Sequence, residues 1–418
     1  MKKAVFLAVM LLSAVHAQRW TAASPVPTLP SGRQVDDGSW LETARTPDGL
    51  MVFAAKGNRT QDFYRYDPVM DSWTGRALVP LGIENKALDQ GARAVWDGAN
   101  SLYMTKGNNS LGFYRFDIAG DSWFQLPDVP LGSDSLLVRG GSDVVFLRKD
   151  SIPYVYLLKG EAGEFYRINL NTTSWEALPH APGGSQPEWF DGSWLEYDGG
   201  LRIYAHKARA DEFWAFDVSR NEWESRPLSG MPLIGRRGVP IPSSHGGSAV
   251  WYNGAAYALK GNNTPELWRY HPAADSWAEL DLSPVDIGGG GALALGDSAP
   301  AGERYFFALA GNEQPDFLQY RLPFIGVEET HDARPRSVLR FAACPARGSG
   351  ARVSYSLVRP GAVRLDLFDT GGRVRWHREF SAGAGQFSLE LPVEQNGVYL
   401  LRALLAGDEA AARLVKVR

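Results

Sequence analysis

The chain has 418 residues, 44% hydrophobic and 22% charged, enough for one large core or two modest ones. Its 14 Trp, 45 Gly and 26 Pro favour many short strands joined by turns over helices. A single cysteine, Cys344, excludes an internal disulfide framework and a multi-thiolate metal site, and a net charge of -4 gives no basic bias toward nucleic acid.

The first residues read as an address. Lys2 and Lys3 precede an apolar run from Ala4 to Val15, and Val15-His16-Ala17 forms a small-x-Ala cleavage site. The run falls short of the roughly 20 residues that span a bilayer, and no later segment is apolar enough to be transmembrane. No cysteine follows to carry a lipid anchor. The expectation is a signal peptide over 1–17 and a mature chain that is secreted or attached to the outer-membrane surface.

From there to Pro323 the sequence repeats. Aromatic pairs recur at Phe63-Tyr64, Phe113-Tyr114, Phe165-Tyr166 and Phe213-Trp214, with Leu267-Trp268 in the same place and a degenerate Phe317-Leu318. Nine residues after each of the first five pairs stands Trp73, Trp123, Trp175, Trp223 or Trp277. The inner interval is fixed while the outer one varies around fifty, which means a rigid hairpin inside each unit and free loops between units. Each unit reads as four strands. An apolar strand follows glycine, as in Gly91 to Trp96, and a second ends at Lys-Gly-Asn, as at Lys56, Lys106 and Lys260. The third carries the aromatic pair and the fourth the tryptophan. Such a unit cannot bury both faces alone, and radial stacking gives a propeller. The last unit, from Gly289, lacks a tryptophan strand. Arg19-Trp20-Thr21 near the start of the mature chain resembles Ser72-Trp73-Thr74, so Trp20 is expected to supply it. This predicts a six-bladed β-propeller over 18–323 closed by an N-terminal strand, which also removes an open edge.

These residues resemble Kelch-type β-propellers, whose units run roughly fifty residues and carry a double glycine, then a tyrosine, then a tryptophan. The departure lies in the double glycine. Its first position is Lys56, Lys106, Lys159, Lys207, Lys260 and Ala310, and its second is glycine except at Ala208. The resemblance implies architecture and leaves activity open.

After Pro323 the repeat stops. Residues 324–338 are polar and proline-punctuated and read as a linker. The tail over 339–418 alternates apolar and polar residues in at least five short runs, among them Val363 to Phe368 and Val398 to Ala403, which suggests a small β-sandwich. It holds twelve Lys/Arg against seven Asp/Glu, whereas the segment before it is acidic, so the two parts differ in sign. Its features are Pro345, Ser354-Tyr355-Ser356-Leu357, the run from Leu365 to Arg373, Gly397-Val398-Tyr399 and a terminal Leu-Val-Lys-Val-Arg. This tail is similar to the Ig-like C-terminal sorting domains of the type IX secretion system, although Cys344 stands where that family usually has asparagine. The resemblance implies export through the type IX machinery as a partner, then removal of the tail with attachment or release. The other reading is a plain Ig-like module that stays in place and binds something.

Chemistry is harder to find. The six histidines after the leader have no metal-ligand spacing, and no nucleophile elbow, phosphate loop or dinucleotide fingerprint appears, so neither cofactor nor metal is expected. A copper-radical oxidase on Kelch blades needs a cysteine-linked tyrosine, and the only cysteine lies in the tail. Asp37-Gly38-Ser39-Trp40 and Asp191-Gly192-Ser193-Trp194 faintly echo the Asp-box turns of sialidases, but in the wrong register. The lysines at 56, 106 and 260, if they project from equivalent turns, form a cationic ring for an anionic ligand; alternatively each pairs with an acid of its own or the next blade. Two long connections are better candidates, since function is grafted onto loops. Arg236, Arg237 and His245 lie on one, and Trp189 on the other, a set suited to stacking on and hydrogen bonding a glycan or an extracellular protein. The expected function is a non-enzymatic binding propeller. The alternatives are a secreted carbohydrate-active enzyme whose acids the sequence does not single out, and a surface-layer or adhesion component.

Overall fold

The computed structural model describes residues 19–296 and 305–322, and beyond them segments between Leu339 and Lys416 that form seven strands. The leader read over 1–17, the linker read over 324–338 and Cys344-Pro345 lie outside the described residues. The chain divides into two compact units, Met1–Pro323 and Phe324–Arg418. Among the described residues every regular element is a strand, and no helix is long and apolar enough to cross a membrane.

The first strand, β1 (Trp20–Ala22), pairs with nothing near it in sequence. The first sheet is β2 (Trp40–Thr46), β3 (Gly49–Ala55), β4 (Phe63–Asp67) and β5 (Ser72–Gly75); the second is β6 (Ala92–Trp96), β7 (Ser101–Lys106), β8 (Phe113–Asp117) and β9 (Ser122–Leu126). The third is β10 (Asp143–Lys149), β11 (Ile152–Leu158), β12 (Phe165–Asn169) and β13 (Ser174–Leu178); the fourth is β14 (Trp194–Tyr197), β15 (Arg202–Lys207), β16 (Glu212–Asp217) and β17 (Glu222–Trp223). The fifth is β18 (Ser248–Tyr252), β19 (Ala255–Leu259), β20 (Leu267–His271) and β21 (Ser276–Glu279). The last holds β22 (Ala292–Gly296), β23 (Tyr305–Leu309) and β24 (Phe317–Arg321), and its outer strand is β1, with Trp20 opposite Tyr320 and Ala22 opposite Leu318. All are antiparallel, and the first five are meanders of consecutive strands. Inner strands touch in the order β2, β6, β10, β14, β18, β22, and β22 touches β2, so the sheets close on themselves as a β-propeller.

Three sets of contacts stitch the sheets together, the third at every sheet but the last, where Ala310 replaces the lysine. At the axis, the glycine that opens each inner strand stands against neighbouring backbone. Gly38 (φ 78°) meets Asp89 of the second sheet's loop, and Gly290 (φ 79°) meets Asp36 and completes the circle; a Cβ at either would collide with main chain. At the rim, each repeated tryptophan is half-buried and donates its indole N–H backwards. Trp73 bonds Ser24 O, Trp123 bonds Ala77 O, Trp175 bonds Pro127 O, Trp223 bonds Pro179 O and Trp277 bonds Ser229 O, while the fully buried Trp20 bonds Asp281 O, all at 2.7–3.0 Å. Apolar packing fills the space between, as in the cluster around Phe63, Phe116 and Trp123.

The third set overturns the cationic ring. Lys56, Lys106 and Lys260 are buried, not displayed on a rim. Each ammonium group lies over an aromatic ring and bonds carbonyls of the loop arriving from the sheet before. Lys260 donates to Pro232 O and Leu233 O at 2.9 Å and to Glu266 at 3.0 Å, over Trp268. Lys56 donates to Thr28 O and to Asp62 at 2.7 Å, over Tyr64. Lys159 repeats the pattern with Pro130 O, Leu131 O and Glu164. A buried ammonium ion needs such a full set of acceptors, so these lysines clamp loops and are closed to a ligand. Lys106 bonds Leu81 O and Lys86 O, with no carboxylate in its ion-pair range among the described residues, and burial lowers its pKa.

The second unit holds two antiparallel sheets. One joins β25 (Leu339–Ala343), β26 (Ala351–Leu357) and β29 (Gly385–Leu391); the other orders β28 (Val374–Ala382), β27 (Gly361–Asp369), β30 (Gly397–Leu405) and β31 (Asp408–Lys416). Val363, Leu365 and Leu367 are buried at the alternate positions expected of a one-sided core, along with Leu391 and Leu401.

The clamps should differ in strength. Lys159→Met leaves Glu164 buried without its cation and is expected to cost about 3–5 kcal/mol. Lys106→Met strands only carbonyls, at about 1–3 kcal/mol. Urea denaturation of the two variants checks the order, and an equal or reversed order contradicts the clamp.

Candidate functional site

The ring encloses an axis, and its geometry follows from the glycine stitches. Where the inner strands begin, an entrance cavity of about 610 Å³ opens. Every sheet contributes to it the residue just before its axial glycine: Asp37, Gln90, Gly140, Asp191, His245 and Gly289. The backbone fixes these positions, which hold aspartate in two sheets, glycine in two, and glutamine and histidine in the others. The turn after each clamp lysine lines the same wall. In the first sheet Gly57, Asn58 and Arg59 take three successive left-handed conformations (φ 64°, 49° and 54°), and a Cβ on Gly57 would strike the Asp36 and Asp37 carbonyls. Asn58 tolerates that conformation and donates to Gln34 O at 3.0 Å, which accounts for the Lys-Gly-Asn motif. The residue after it reaches the cavity as Arg59 or Asn109, and in the fourth sheet, which lacks that Asn, Arg209 follows Ala208 into it.

The cavity wall is polar and partly knitted. Arg59 pairs with Asp89 at 3.0 Å, Gln90 donates to Asp37 at 2.7 Å, Arg139 pairs with Glu161, and Asn312 donates to Asn263 at 2.7 Å. Arg209 lies 4.5 Å from the centre of the Phe190 ring. Burial raises the pKa of Asp191, with Arg93 and His245 pulling it down and Asp37 pushing it up. Asp36 is raised too, first by burial and then by Asp37, Glu313 and Asp89.

Along the inner strands the axis continues as a channel of about 430 Å³, which runs to the hairpins at the other end. Glu42, Asp143 and Glu196 line it. They cap edge-strand amides that no further strand can pair. Asp143 accepts from Leu195 N at 2.7 Å, Glu196 from Trp251 N at 3.0 Å and Glu42 from Thr43 N at 3.2 Å. Arg93 Nε sits 3.8 Å from Asp143. Burial pushes the Glu42 carboxyl up to about 8 and Asp143 up to about 6, the latter against the pull of Arg93. Glu196 is raised well above its usual range, by burial and then by Asp143 and Glu42.

Of the residues singled out in the sequence, His245 is in the entrance cavity. Arg236 and Arg237 are not. They bind the fifth sheet's periphery, Arg236 donating to Glu279 O at 2.8 Å and Arg237 lying 3.6 Å from Asp286. Trp189 is wholly buried beneath Lys207, where it fills the aromatic slot that Tyr64 fills under Lys56; its neighbour Phe190 takes the cavity wall instead. The sequence reading passes over the channel acids, although a signal exists. Asp-Gly-Ser-Trp-Leu-Glu occurs twice, at 37–42 and 191–196, and ends on Glu42 and Glu196. Among the described residues, Asp134, Glu164 and His180 bring three metal-ligand atoms within 4.8 Å of one another, but Glu164 is already held by the Lys159 ammonium at 2.9 Å. That cation repels a second one.

No protein-family model matches the chain, and no curated protein matches it. Among solved structures it is similar to YjhT, at 13% identity over 71% of this chain and 95% of that one, with a TM-score of 0.47. It is similar also to an auxiliary nutrient binding protein from Bacteroides thetaiotaomicron, at 11% identity over 68% and 69% of the two chains and a TM-score of 0.47. A fungal alcohol oxidase in complex with copper aligns over 96% of this chain and 99% of its own at 11% identity, with a TM-score of 0.44.

The raised channel carboxyls make stability depend on pH. A carboxyl whose pKa is higher folded than unfolded stabilises the fold below its unfolded pKa, and that stability is lost as pH rises through the folded value. For Glu42 the window ends near pH 8. His206, held down to about 3 by burial and then by Lys260, acts oppositely between that pH and its unfolded value. A variant comparison therefore isolates Glu42: Glu42→Gln should raise the melting temperature at pH 8 and leave it nearly unchanged at pH 5. A loss at pH 8 contradicts the assignment.

Proposed function

We propose that this chain is a secreted or surface-attached binding protein, a six-bladed Kelch-like propeller that holds a glycan in its entrance cavity without transforming it. What carries the reading is the division of labour around the ring. Glycine, lysine and tryptophan recur wherever sheets are stitched, whereas the positions that face the cavity are free to vary and hold carboxylates, amides, guanidinium groups and a histidine. A polyhydroxylated ligand uses such a mixture of donors and acceptors, and Phe190 under Arg209 offers a sugar ring an apolar face. The nutrient binding protein to which the chain is similar is compatible with this reading.

The C-terminal unit is, in this reading, an Ig-like sandwich that serves as a type IX sorting signal. The order of its motifs and its two sheets support it. The leader at 1–17 would bring the chain to the first membrane and the tail to the second.

A glycan array with parallel hydrolysis assays on the full chain tests the binding role. Binding without released sugar is expected, weakened at least tenfold by Asp191→Asn with little change in melting temperature; turnover instead establishes the carbohydrate-active enzyme. Deleting Leu339–Arg418 should leave a folded propeller in the periplasm, and normal surface delivery of that truncation contradicts the sorting role.

A further inference from the structure

The duplicated hexapeptide places its residues in the first and fourth of six sheets, across the axis from each other. Glu42 pairs across its hairpin with Phe53 and Glu196 with Tyr204, equivalent places in the two sheets. The channel is therefore lined by two carboxyl groups in a twofold arrangement. Each accepts one backbone hydrogen bond and lines the channel.

Charge does not balance there. Glu42, Asp143 and Glu196 supply three acids, and the one cation deep among them, Arg93, is drawn to Asp143. Arg45 lies farther out, exposed near the far opening. Two carboxyl groups, Glu42 and Glu196, are left on opposite walls, held largely protonated by burial until a cation enters. Beside them, Trp96, Phe146, Tyr197 and Trp251 line the channel, each half-buried, and their ring faces favour cations. Trp40 lines it too, and its indole N–H is buried without a hydrogen-bond partner.

We propose that the channel is a second binding site, distinct from the entrance cavity, for a small organic dication whose two ammonium groups are held by Glu42 and Glu196 between aromatic walls. A volume of about 430 Å³ admits an aliphatic diamine with a few waters. The two carboxyl groups give up their protons to the solution as the ammonium groups arrive, since opposite charge favours the ionised form. The other titratable groups lining the channel are Asp143 and Arg93, with Arg45 and Tyr197 also along its wall.

Calorimetry on the full chain with putrescine, and with butylamine as the singly charged control, tests this. Putrescine should bind at least tenfold more tightly than butylamine. Glu42→Gln combined with Glu196→Gln should weaken it at least tenfold while the chain still folds, because glutamine keeps an oxygen to accept from the backbone amide but cannot ionise against an ammonium group. The heat at pH 7 should differ between buffers of unlike ionisation enthalpy, in proportion to the protons released. Asp191→Asn, at the entrance, should leave putrescine binding unchanged, which separates this site from the glycan site. The assignment is overturned by absence of putrescine binding, by equal affinity for butylamine, or by undiminished binding in the folded double variant.

Discussion

The tightest constraint in the molecule is the approach of backbone to backbone at the axis. Each inner strand opens on a glycine pressed against the next sheet's loop, and the series closes where Gly290 meets Asp36. No side chain fits between. Because the sheets meet so closely at their starts, their right-handed twist splays them outward. The widening gaps are filled first by aromatic rings and then, at the rim, by the indoles that reach back to the sheet before. The lysine clamps belong to the same economy. A loop crossing from one sheet to the next brings several carbonyls inside, and one ammonium group satisfies them at once.

That arrangement decides where recognition can be placed. Residues that stitch sheets are held by their neighbours on every side, whereas the residue just before each axial glycine has a fixed backbone and faces the cavity. Six such positions converge on one cavity, so a pocket wall can be rewritten without disturbing the ring. The channel is less free. Its acids cap edge amides as well as facing water, and any change there is felt by the sheets.

Much of this was legible from spacing alone. The constant nine residues between aromatic pair and tryptophan marked the outer hairpins, and the likeness of Trp20 to Trp73 pointed to the strand that now lies beside Tyr320. Burial was not legible at the lysines, because a charged residue in a turn reads as surface unless its partners are known. Those partners were in view: Asp62 and Glu266 follow their lysines by six residues and Glu164 by five. Trp189 misled for the opposite reason. A loop tryptophan looks exposed, but here the loop folds under and lends its ring to the fourth sheet. Arg236 and Arg237 were set apart by a long connection, and length does not say toward which side a loop leans. The channel acids went unnoticed because carboxylates are common, and only ring closure reveals that two copies of one hexapeptide face each other.

The final sheet combines β1 with β22, β23 and β24, the last three strands of the propeller. While the rest of the propeller is being synthesised, Trp20 has no partner, and the edge of β24 must wait for a segment made three hundred positions earlier. Every incomplete chain is thus an open arc with two raw edges, prone to pair with whatever is near. Completeness is registered in a single event, the docking of one short strand. Joining the ends costs little more entropy than closing a much shorter loop, since that cost grows only with the logarithm of length.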